Sequence, residues 1–336
     1  MDVLIIGGTG VISTGITRQF VDAGHDVTIF NRGETDIDIP EAVAEIHGDR
    51  FDHDAFESAV ADVEVDVVID MMCFSVEDAE SDIRAFSGEI EQFIFTSTVD
   101  VYHRPPERNP VTEDAAREPP VSDYAEGKAA AEDRFREAEA EGAFDVTIIR
   151  PWSTYGEGGA IFHTFGGDTY YLERIRQGKP IVVHGDGTSL WGSCHRDDVA
   201  AAYVNAVGNE VAYGETYHVT SEEVITWNQY HRRVAAALDA PEPDLVHIPT
   251  DVLRDVAPER TEMLRDHFQY STVFDNSKAK RDLDFEYTVP FEEGVERTVE
   301  WLDEHDGIEV GEGDAFEDDL VAAWRESTDD FVADFE

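Results

Sequence analysis

Cysteine, lysine and long apolar runs are scarce in this chain, and their scarcity narrows the possible classes of protein. The 336 residues include two cysteines, Cys73 and Cys194, and four lysines. Two cysteines cannot form the disulfide framework of a small secreted domain, and no Cys/His cluster has metal-ligand spacing. No segment reaches the roughly 18 apolar residues that a membrane span needs. We therefore expect neither a disulfide scaffold, nor a metal site, nor a membrane protein.

Positive charge is scarce as well. The chain has 75 acidic residues against 25 Lys and Arg, a formal net charge of −50, and the acids run from Asp2 to Glu336. Such a charge repels phosphate backbones and anionic membranes, so nucleic acid is not an expected partner. Solubility is one explanation. High-salt adaptation is the favoured explanation, because lysine is rare beside 21 arginines. Molar salt also shortens the screening length to about 3 Å, which removes the repulsion among the acidic groups.

Apolar runs alternate with helical patterns in the first half of the chain. Strands are predicted at 2–6, 26–30, 42–46, 65–70, 92–97 and 145–150, and helices at about 11–23, 76–87 and 122–141. Because the apolar strands are continuous rather than alternating, we expect a parallel sheet covered on both faces by helices. The predicted fold class is α/β, a Rossmann-type doubly wound parallel sheet with a smaller C-terminal α/β substrate lobe.

The pattern loosens after Pro151 into Gly-rich and aromatic loops. Short strands are predicted at 180–183 and 216–219, and helices near 169–177, 197–207 and 226–238. Because the length exceeds one usual core, three regions are predicted: a Rossmann domain with sheet contributions from later strands, a substrate lobe, and an acidic extension with an amphipathic stretch near 316–327. Their bounds are 1–165, 166–306 and 307–336. No basic segment precedes the apolar run at the N-terminus, so we expect a cytoplasmic protein.

A glycine-rich turn follows the first predicted strand and opens the first helix. It reads Gly7-x-x-Gly10-x-x-Ser13. Backbone N–H groups of such a turn and the start of the helix can meet a pyrophosphate, and a serine at the third position still allows close helix–strand packing. The position in a strand–turn–helix unit predicts dinucleotide binding rather than a simple tight connection.

The ends of the second and third strands bear on which dinucleotide binds. NAD-specific Rossmann proteins usually carry an acid after the second strand, whereas this chain has Asn31-Arg32. Arg32 favours a 2′-phosphate and hence NADP, although it could instead lie flat against the adenine. Asp49, in Gly48-Asp49-Arg50, stands where an adenine-contacting aspartate would fall. The alternative for Asp49 is a cap of the helix that begins near Asp52.

Tyr124 and Lys128 stand at positions i and i+4 of one predicted helix, so their side chains share a face. An ammonium beside a phenol favours the phenolate and lowers its pKa, which would make the tyrosine a usable acid or base near neutral pH. The strand end Thr96-Ser97-Thr98 adds hydroxyls at the carboxyl edge of the sheet, where such folds bind ligands. The alternative for Thr98 is a strand-end hydrogen bond.

Together these motifs resemble the extended short-chain dehydrogenase/reductase family, specifically its NAD-dependent epimerase/dehydratase group. The resemblance covers roughly residues 1–300 and rests on the Gly7–Ser13 turn, Thr96–Tyr102, Tyr124-x-x-x-Lys128, Arg150-Pro151 with Tyr155-Gly156, Gly185-Asp186-Gly187, and His195-Arg196-Asp197-Asp198-Val199. It implies Tyr124 as catalytic acid/base, Thr98 as a hydroxyl that orients the substrate, and Lys128 as a ligand of the nicotinamide ribose that also tunes Tyr124. The implied cofactor-binding residues are Gly7, Thr9, Gly10, Val11, Ile12, Asn31, Arg32, Asp49, Arg50, Met71, Lys128 and Pro151.

The chain departs from the family pattern on the substrate side. Relatives that act on nucleotide sugars have an arginine where this chain has Trp191, and commonly an asparagine where it has Ser153. Both changes favour a smaller sugar or hydroxy compound, with Trp191 offering a flat apolar face; the alternative for Trp191 is a core aromatic. Bulky residues, from Met71 to Cys73, replace the usual small run beside the cofactor. The predicted substrate-binding residues are Thr98, Cys73, Ser153 and Trp191.

The predicted function is that of an NAD(P)-dependent oxidoreductase of the epimerase/dehydratase type, which transfers hydride at a carbinol carbon of a sugar or sugar derivative. The alternatives are a simple NAD(P)-dependent sugar dehydrogenase, a non-catalytic NADP-binding sensor, and an RNA-associated relative suggested by Asn31-Arg32-Gly33. The intact Tyr124–Lys128 pair argues against a sensor, and the net charge argues against RNA. A small-molecule substrate and a possible homodimer paired through the helix bearing Tyr124 are expected.

Overall fold

The computed structural model describes residues 1–34, 39–309 and 311–335, which form two compact units. The chain passes between the units more than once, so the division differs from the linear one expected with boundaries near 165 and 306. The first unit comprises Met1–Thr154, Ser193–Glu222 and Phe274–Thr288, and the second comprises Tyr155–Gly192, Glu223–Val273 and Val289–Glu336.

The strands are short and most lie in the first unit. In chain order they are β1 (Asp2–Ile6), β2 (Asp26–Asn31), β3 (Ala44–His47), β4 (Val67–Asp70), β5 (Gln92–Thr96), β6 (Asp145–Pro151), β7 (Thr154–Tyr155), β8 (Ile181–His184), β9 (Leu190–Trp191), β10 (Cys194–His195), β11 (Glu215–Val219), β12 (Ile225–Thr226) and β13 (Leu245–Ile248).

The helices alternate with these strands. They are α1 (Val11–Asp22), α2 (His53–Val60), α3 (Val76–Phe86), α4 (Asp123–Ala140), α5 (Tyr170–Arg176), α6 (Arg196–Ala206), α7 (Trp227–Ala237), α8 (Thr250–Val256), α9 (Ser277–Asp282), α10 (Phe291–Glu304) and α11 (Glu312–Ala333). Short 3₁₀ turns lie at Val99–Val101, Glu210–Ala212 and Pro258–Arg260, and a π-helical turn at Leu264–Phe268.

A seven-stranded parallel sheet forms the centre of the first unit. Its strand order is β3-β2-β1-β4-β5-β6-β11, with every neighbouring pair parallel. The order reverses between β1 and β4, and ligands of doubly wound folds bind beyond the carboxyl ends of the strands at such a point. The expected fold class is therefore confirmed.

Alternate residues of β1 show why the sheet is covered on both faces. Val3 and Ile5 lie in one buried cluster, with residues of α1 and α6, whereas Leu4 and Ile6 lie in another, with residues of α2, α3 and α4. A strand whose two faces are both buried must be apolar throughout. This is the reason for the uninterrupted apolar runs in the sequence.

The second unit has smaller sheets and an aromatic core. Strand β8 pairs parallel with β13, and β9 pairs antiparallel with β12. The long helix α11 is fastened to this unit by Arg174, whose guanidinium lies 2.6 Å from the Glu317 carboxylate with both side chains 1% exposed. The amphipathic stretch expected near 316–327 lies within this helix.

Predicted element ends agree with the structure where the apolar period is strong. The six strands predicted in the first half match β1 to β6 to within two residues, and the six predicted helices match α1, α3, α4, α5, α6 and α7 to within one. Helices α8, α9 and α10, strand β13 and the two-residue strands β7, β9, β10 and β12 were not predicted.

Cations are too few to neutralise the acidic surface. Three of the four lysines already pair with carboxylates: Lys179 with Asp314 and Asp318, Lys278 with Glu215, and Lys280 with Glu222. Because acids outnumber Lys and Arg three to one, most carboxylates cannot have a cation of their own. The compact state therefore carries a self-repulsion that dissolved salt can screen.

We expect the melting temperature to rise as KCl increases from about 0.1 M into the molar range, because screening removes this repulsion. Differential scanning calorimetry measures it, with an uncharged osmolyte at equal osmolality as the control for excluded-volume effects. A melting temperature that stays flat or falls with KCl would contradict a charge-repulsion origin.

Candidate active site

The glycine-rich turn has the geometry of an anion-binding turn. Gly7 adopts a φ of 93°, its N–H donates to the Phe30 carbonyl at 2.8 Å, and a Cβ here would lie 2.5 Å from Met72 Cγ. Ser13 Oγ accepts from the Gly10 N–H at 2.7 Å and donates to the Gly7 carbonyl at 2.8 Å. Ser13 thus closes the turn by hydrogen bonding as well as by its small size.

A cavity of about 280 Å³ opens beside this turn, at the carboxyl ends of β1, β2 and β3. Glycine backbone lies on one side and the rings of Phe30 and Phe51 on another, a combination suited to a nucleotide. Phe30, Gly48 and Phe51 were not among the predicted cofactor-binding residues, although Phe51 directly follows the expected Asp49-Arg50; Met72 belongs to the bulky run expected beside the cofactor. The lining residues are Gly7, Thr9, Gly10, Phe30, Asn31, Arg32, Gly48, Asp49, Arg50, Phe51 and Met72.

Arg32 lies at the open edge of this cavity. Its side chain is 70% exposed, and its Nε lies 3.5 Å from a carboxylate oxygen of Glu34. An exposed pair of this kind contributes little to stability, so the guanidinium can turn towards an anionic ligand at small cost. The structure thus leaves Arg32 available for the role that its position suggests.

Asp49 and Arg50 have different environments. The Asp49 carboxylate accepts from the Phe51 N–H at 3.0 Å, and Asp52, not Asp49, caps α2 by accepting from the Ala55 N–H. The Arg50 side chain is 4% exposed and lies 3.2 Å from Asp70. The Arg50 guanidinium is therefore engaged by buried carboxylates, and the cofactor-binding role expected for Arg50, which lines the cavity, stays a prediction.

Arg50 instead fastens the end of β4. It pairs with Asp70 and, at 2.9 Å, with Asp82, both fully buried. Burial and the neighbouring Asp70 raise the pKa of Asp82 well above its usual range. Asp70 in turn accepts from the Met72 N–H. The cluster therefore fixes the turn that places Met72 beside Gly7.

Lys128 is buried under the carboxyl end of β5. Its ammonium donates to the Thr96 carbonyl at 2.8 Å and lies 4.6 Å and 4.9 Å from the ring centres of Phe74 and Phe95. Burial lowers the pKa of Lys128. The ammonium is therefore held by a backbone carbonyl and two aromatic rings.

Tyr124 lies one helical turn earlier on the same face of α4. The Tyr124 side chain is 44% exposed overall, but its hydroxyl is desolvated; this desolvation, followed by the charge of Asp100, raises the pKa of Tyr124 to about 12, and a hydrogen bond with the Thr98 side chain partly offsets the rise. Lys128 was expected to lower this pKa; the shift is in the opposite direction because desolvation and Asp100 dominate, while the Lys128 ammonium donates to Thr96. Tyr124 is thus protonated at neutral pH and adjacent to Thr98, as the family pattern implies.

Glu132 continues the face of α4 by one more turn. Its carboxylate accepts from Ser97 Oγ at 2.5 Å and from Arg150 Nε at 2.7 Å. Arg150 also donates to the hydroxyl of Tyr102, which is 2.5 Å from a ring nitrogen of His218. This buried network ties α4 to the segment that carries Thr98. The i+4 spacing from Lys128 was the available sequence signal for Glu132.

The residues predicted to bind substrate are not brought together as expected. Cys73 is fully buried, and its thiol points to the Ser75 carbonyl at 3.6 Å. Trp191 is 3% exposed and packs against Phe268 and Trp227, with ring centres 4.9 Å and 5.5 Å away. The expectation that Cys73 and Trp191 present surfaces to a substrate is therefore wrong; Trp191 is a core aromatic of the second unit.

Ser153 and Met71 keep polar or sulfur contacts in the first unit. Ser153 adopts a left-handed φ of 45°, and its hydroxyl is 2.9 Å from that of Ser193. Met71 Sδ accepts from the Thr96 hydroxyl at 2.8 Å, and the same hydroxyl accepts from Tyr203 at 2.9 Å. Tyr203, unnoticed in the sequence, joins α6 to the strand end. The ligand-binding roles of Ser153, Met71 and Pro151 stay predictions.

Metal and membrane functions find no support in the described part of the chain. Within residues 1–34, 39–309 and 311–335, no three His, Cys, Asp or Glu side chains are grouped so as to hold a metal ion. None of the helices described combines the length and apolar character required to cross a bilayer.

Comparison with known proteins gives a family for this arrangement. A model of the NAD dependent epimerase/dehydratase family matches residues 3–220. The chain belongs to this family. The 2′-dehydrokanamycin reductase of Streptomyces kanamyceticus is 31% identical over 273 residues, 81% of this chain and 76% of that protein. The chloroplast stem-loop binding protein of 41 kDa b of Arabidopsis thaliana is 28% identical over 332 residues, 95% of this chain and 83% of that protein.

Solved structures share the fold. An epimerase from Methanothermobacter thermautotrophicus superposes with a TM-score of 0.73 at 19% identity, covering 90% of this chain and 92% of that one. A UDP-glucose 4-epimerase from Thermotoga maritima, solved with UDP-glucose, gives 0.71 at 21% identity, covering 91% and 99%. The chain is thus an NAD(P)-dependent oxidoreductase of the epimerase/dehydratase type, as the sequence predicted.

Tyr124→Phe should lower turnover by a factor on the order of 10² to 10⁴ with little change in cofactor affinity, because only the proton transfer is lost. The measurements are steady-state oxidation of the reduced cofactor with a carbonyl substrate, and a cofactor titration. Tyr213→Phe, the same chemical change elsewhere in the first unit, is the control. Wild-type turnover in Tyr124→Phe would remove Tyr124 from the chemistry.

Proposed function

We propose that this enzyme transfers hydride between NADP and a carbinol or carbonyl carbon of a sugar or sugar derivative, with Tyr124 as the proton donor and acceptor. The observation that carries the proposal is the Tyr124–Thr98 hydroxyl pair at the carboxyl end of β5, with Lys128 buried beside it. The glycine-rich turn and its cavity belong to the same unit.

The residues of the cavity fit a dinucleotide. The first N–H groups of α1 have no partner within the helix, and because α1 begins directly after the turn they are placed to meet a pyrophosphate. Thr9, Val11 and Ile12 would extend that contact, and Lys128 would bind the nicotinamide ribose. When bound, the nicotinamide supplies or accepts the hydride.

Tyr124 is set to give a proton rather than to take one. Because its pKa is raised to about 12, the phenol is protonated at neutral pH and can donate to the oxygen of a carbonyl as that carbon is reduced. Thr98 Oγ1 accepts from the Asp100 N–H at 3.1 Å and shares a hydrogen bond with the Tyr124 hydroxyl, which places it beside the oxygen that Tyr124 would protonate. The reductase from Streptomyces kanamyceticus, a relative of this chain, supports a reductive direction.

The substrate class that we favour is a free or lightly charged sugar. Ser153 and Trp191 stand where relatives acting on nucleotide sugars carry diphosphate-binding residues, and neither supplies a cation. The acidic field of the protein further disfavours a dianionic ligand. Because Trp191 is a core residue, this choice of substrate rests on the absence of a cation at the two positions and not on stacking of a sugar against the Trp191 ring.

A substrate panel tests this choice. With NADPH at high salt, keto sugars without a nucleotide should be reduced readily. UDP- and dTDP-sugars should bind weakly and be converted more slowly, because neither Ser153 nor Trp191 supplies a cation that offsets a pyrophosphate. The absorbance of NADPH measures the rate of reduction, and calorimetry measures binding, for both classes of sugar. Micromolar binding of a nucleotide sugar, with no activity on any free sugar, would restore an epimerase or dehydratase of nucleotide sugars.

Other roles fit less well. One relative is a stem-loop binding protein, but a charge of −50 opposes RNA binding by this chain. A sensor without turnover would have no use for Tyr124, Thr98 and Lys128 together.

We further propose that the protein is a cytoplasmic enzyme of a high-salt cell, without nucleic-acid or membrane partners. We also propose that it forms a homodimer through α4; a monomer found by light scattering would exclude the dimer.

Arg32→Ala should weaken NADP binding about tenfold or more and leave NAD binding nearly unchanged, because Arg32 would pair with the 2′-phosphate that NAD lacks. Fluorescence titration with each cofactor measures the two affinities, and Arg281→Ala, an exposed arginine beside Asp282, is the matched control. Equal or tighter NAD binding by the wild type, unchanged in Arg32→Ala, would refute an NADP preference.

A further inference from the structure

Gly127 lies in the interior of α4, between Tyr124 and Lys128, where a glycine weakens the helix. Glycine at such a position is less favourable than alanine, because more backbone freedom is lost on folding. An added Cβ at Gly127 would overlap the main-chain carbonyl of Phe74. A backbone atom cannot turn aside as the end of a flexible side chain can. The missing side chain of Gly127 is therefore what lets the segment after β4 lie directly against α4.

The main chain at Phe74 is fixed from its other side as well. The Phe74 N–H donates to the Asp78 carboxylate at 3.0 Å, and the same carboxylate accepts from the Ser75 hydroxyl at 3.0 Å. Ser75 is the N-cap of α3. Phe74 is thus held between the start of α3 and the bare face of Gly127, and this contact determines where its ring lies.

The ring of Phe74 meets both functional side chains of α4. Its centre lies 4.6 Å from the Lys128 ammonium and 6.2 Å from the ring centre of Tyr124. An aromatic face attracts a cation most strongly where water is excluded, and Lys128 is 2% exposed. The Phe74 ring therefore takes the place of water on one side of the ammonium, while the Thr96 carbonyl accepts a hydrogen bond from it.

We propose that Gly127 and Phe74 are positioning residues for the reaction: Gly127 admits the Phe74 carbonyl, which sets the Phe74 ring over Lys128, and that ring holds the ammonium where it can bind the nicotinamide ribose. Both residues act through Lys128, so they are positioning rather than catalytic residues. The inference rests on the proposed role of Lys128 in cofactor binding and adds two residues to it. The nicotinamide ribose is common to NADP⁺ and NAD⁺, so the role is the same for either cofactor.

Gly127→Ala is the first test, with the melting temperature and calorimetric titration of NADP⁺ as measurements. Helix propensity alone would raise the melting temperature, because alanine is the better helix former. We expect the melting temperature to fall instead, and NADP⁺ to bind about three- to tenfold more weakly. Glu137→Ala and Glu137→Gly form the control pair, since Glu137 is an exposed residue of the same helix and their difference measures propensity alone. Normal NADP⁺ binding by Gly127→Ala would overturn the inference.

Phe74→Leu tests the ring while leaving Gly127 in place, so it decides the matter even if Gly127→Ala does not fold. Leucine keeps apolar bulk but has no aromatic face, whereas Phe74→Tyr keeps the face. We expect Phe74→Leu to bind NADP⁺ about three- to tenfold more weakly and Phe74→Tyr to bind it as wild type does. In a Lys128→Met background, Phe74→Leu should cause almost no further loss, because both changes remove one contact. Losses that add fully would mark Phe74 as merely structural and overturn the inference.

The position of the ammonium can be observed directly, because the chain has four lysines. Lysine labelled with ¹³C at Cε gives few nuclear magnetic resonance signals, and Lys128→Arg assigns the signal of Lys128. Protons above an aromatic face are shifted upfield. The Lys128 signal should therefore lie upfield in wild type and in Phe74→Tyr, and should move towards the other three in Phe74→Leu and in Gly127→Ala. A signal that stays in place in both of these variants would contradict the inference.

The same variants separate this inference from the proposal beneath it. If Lys128→Met loses NADP⁺ affinity while Gly127→Ala and Phe74→Leu keep it, the role of Lys128 stands and only the roles of Gly127 and Phe74 fail. If Lys128→Met binds NADP⁺ as tightly as wild type does, the proposed role of Lys128 in cofactor binding fails, and the inference falls with it.

Discussion

The buried contact between Glu132 and Arg150 holds the face of α4 that carries Tyr124 and Lys128 against the sheet. Both side chains are at most 4% exposed, with 2.5 Å between Arg150 Nη2 and a carboxylate oxygen, and Ser97 and Tyr102 are bonded into the same group. Removing one partner of a buried pair costs about 3–5 kcal/mol, because it leaves a charge without compensation. The positions of Thr98, Tyr124 and Lys128 therefore depend on a pair that touches none of the reacting atoms.

The surroundings of Tyr124 keep its phenol protonated in the protein without a bound ligand. Desolvation of the phenol and, after it, the charge of Asp100 disfavour the phenolate, while the Lys128 ammonium donates to the Thr96 carbonyl. A proton donor is what carbonyl reduction requires. For the reverse reaction, or for an epimerase cycle, the pKa of Tyr124 has to fall when the site is filled, and a hydrogen bond or positive charge brought next to the phenol is the physical means.

Local patterns were predictable from the sequence, whereas long-range contacts were not. The Gly7–Ser13 turn and the Tyr124–Lys128 spacing each lie within one short segment, and both take the expected form. The environments of Arg50 and Trp191 could not be predicted, because partners distant in sequence, Asp82 and Phe268, decide them. Helix α10 is a different case: its apolar period at Phe291, Val295, Val299 and Leu302 was present in the sequence and was overlooked.

The account is tested most directly by the ionisation of Tyr124 itself. The pH-dependent phenolate absorbance of wild type minus Tyr124→Phe, recorded with and without saturating NADP⁺, isolates this one phenol. The account predicts no Tyr124 ionisation below about pH 10 in the free protein, since its pKa is raised to about 12, and a phenol still protonated at about pH 7 in the complex, as a proton donor to the substrate oxygen must be. A Tyr124 phenolate present at about pH 7 in either state would contradict it.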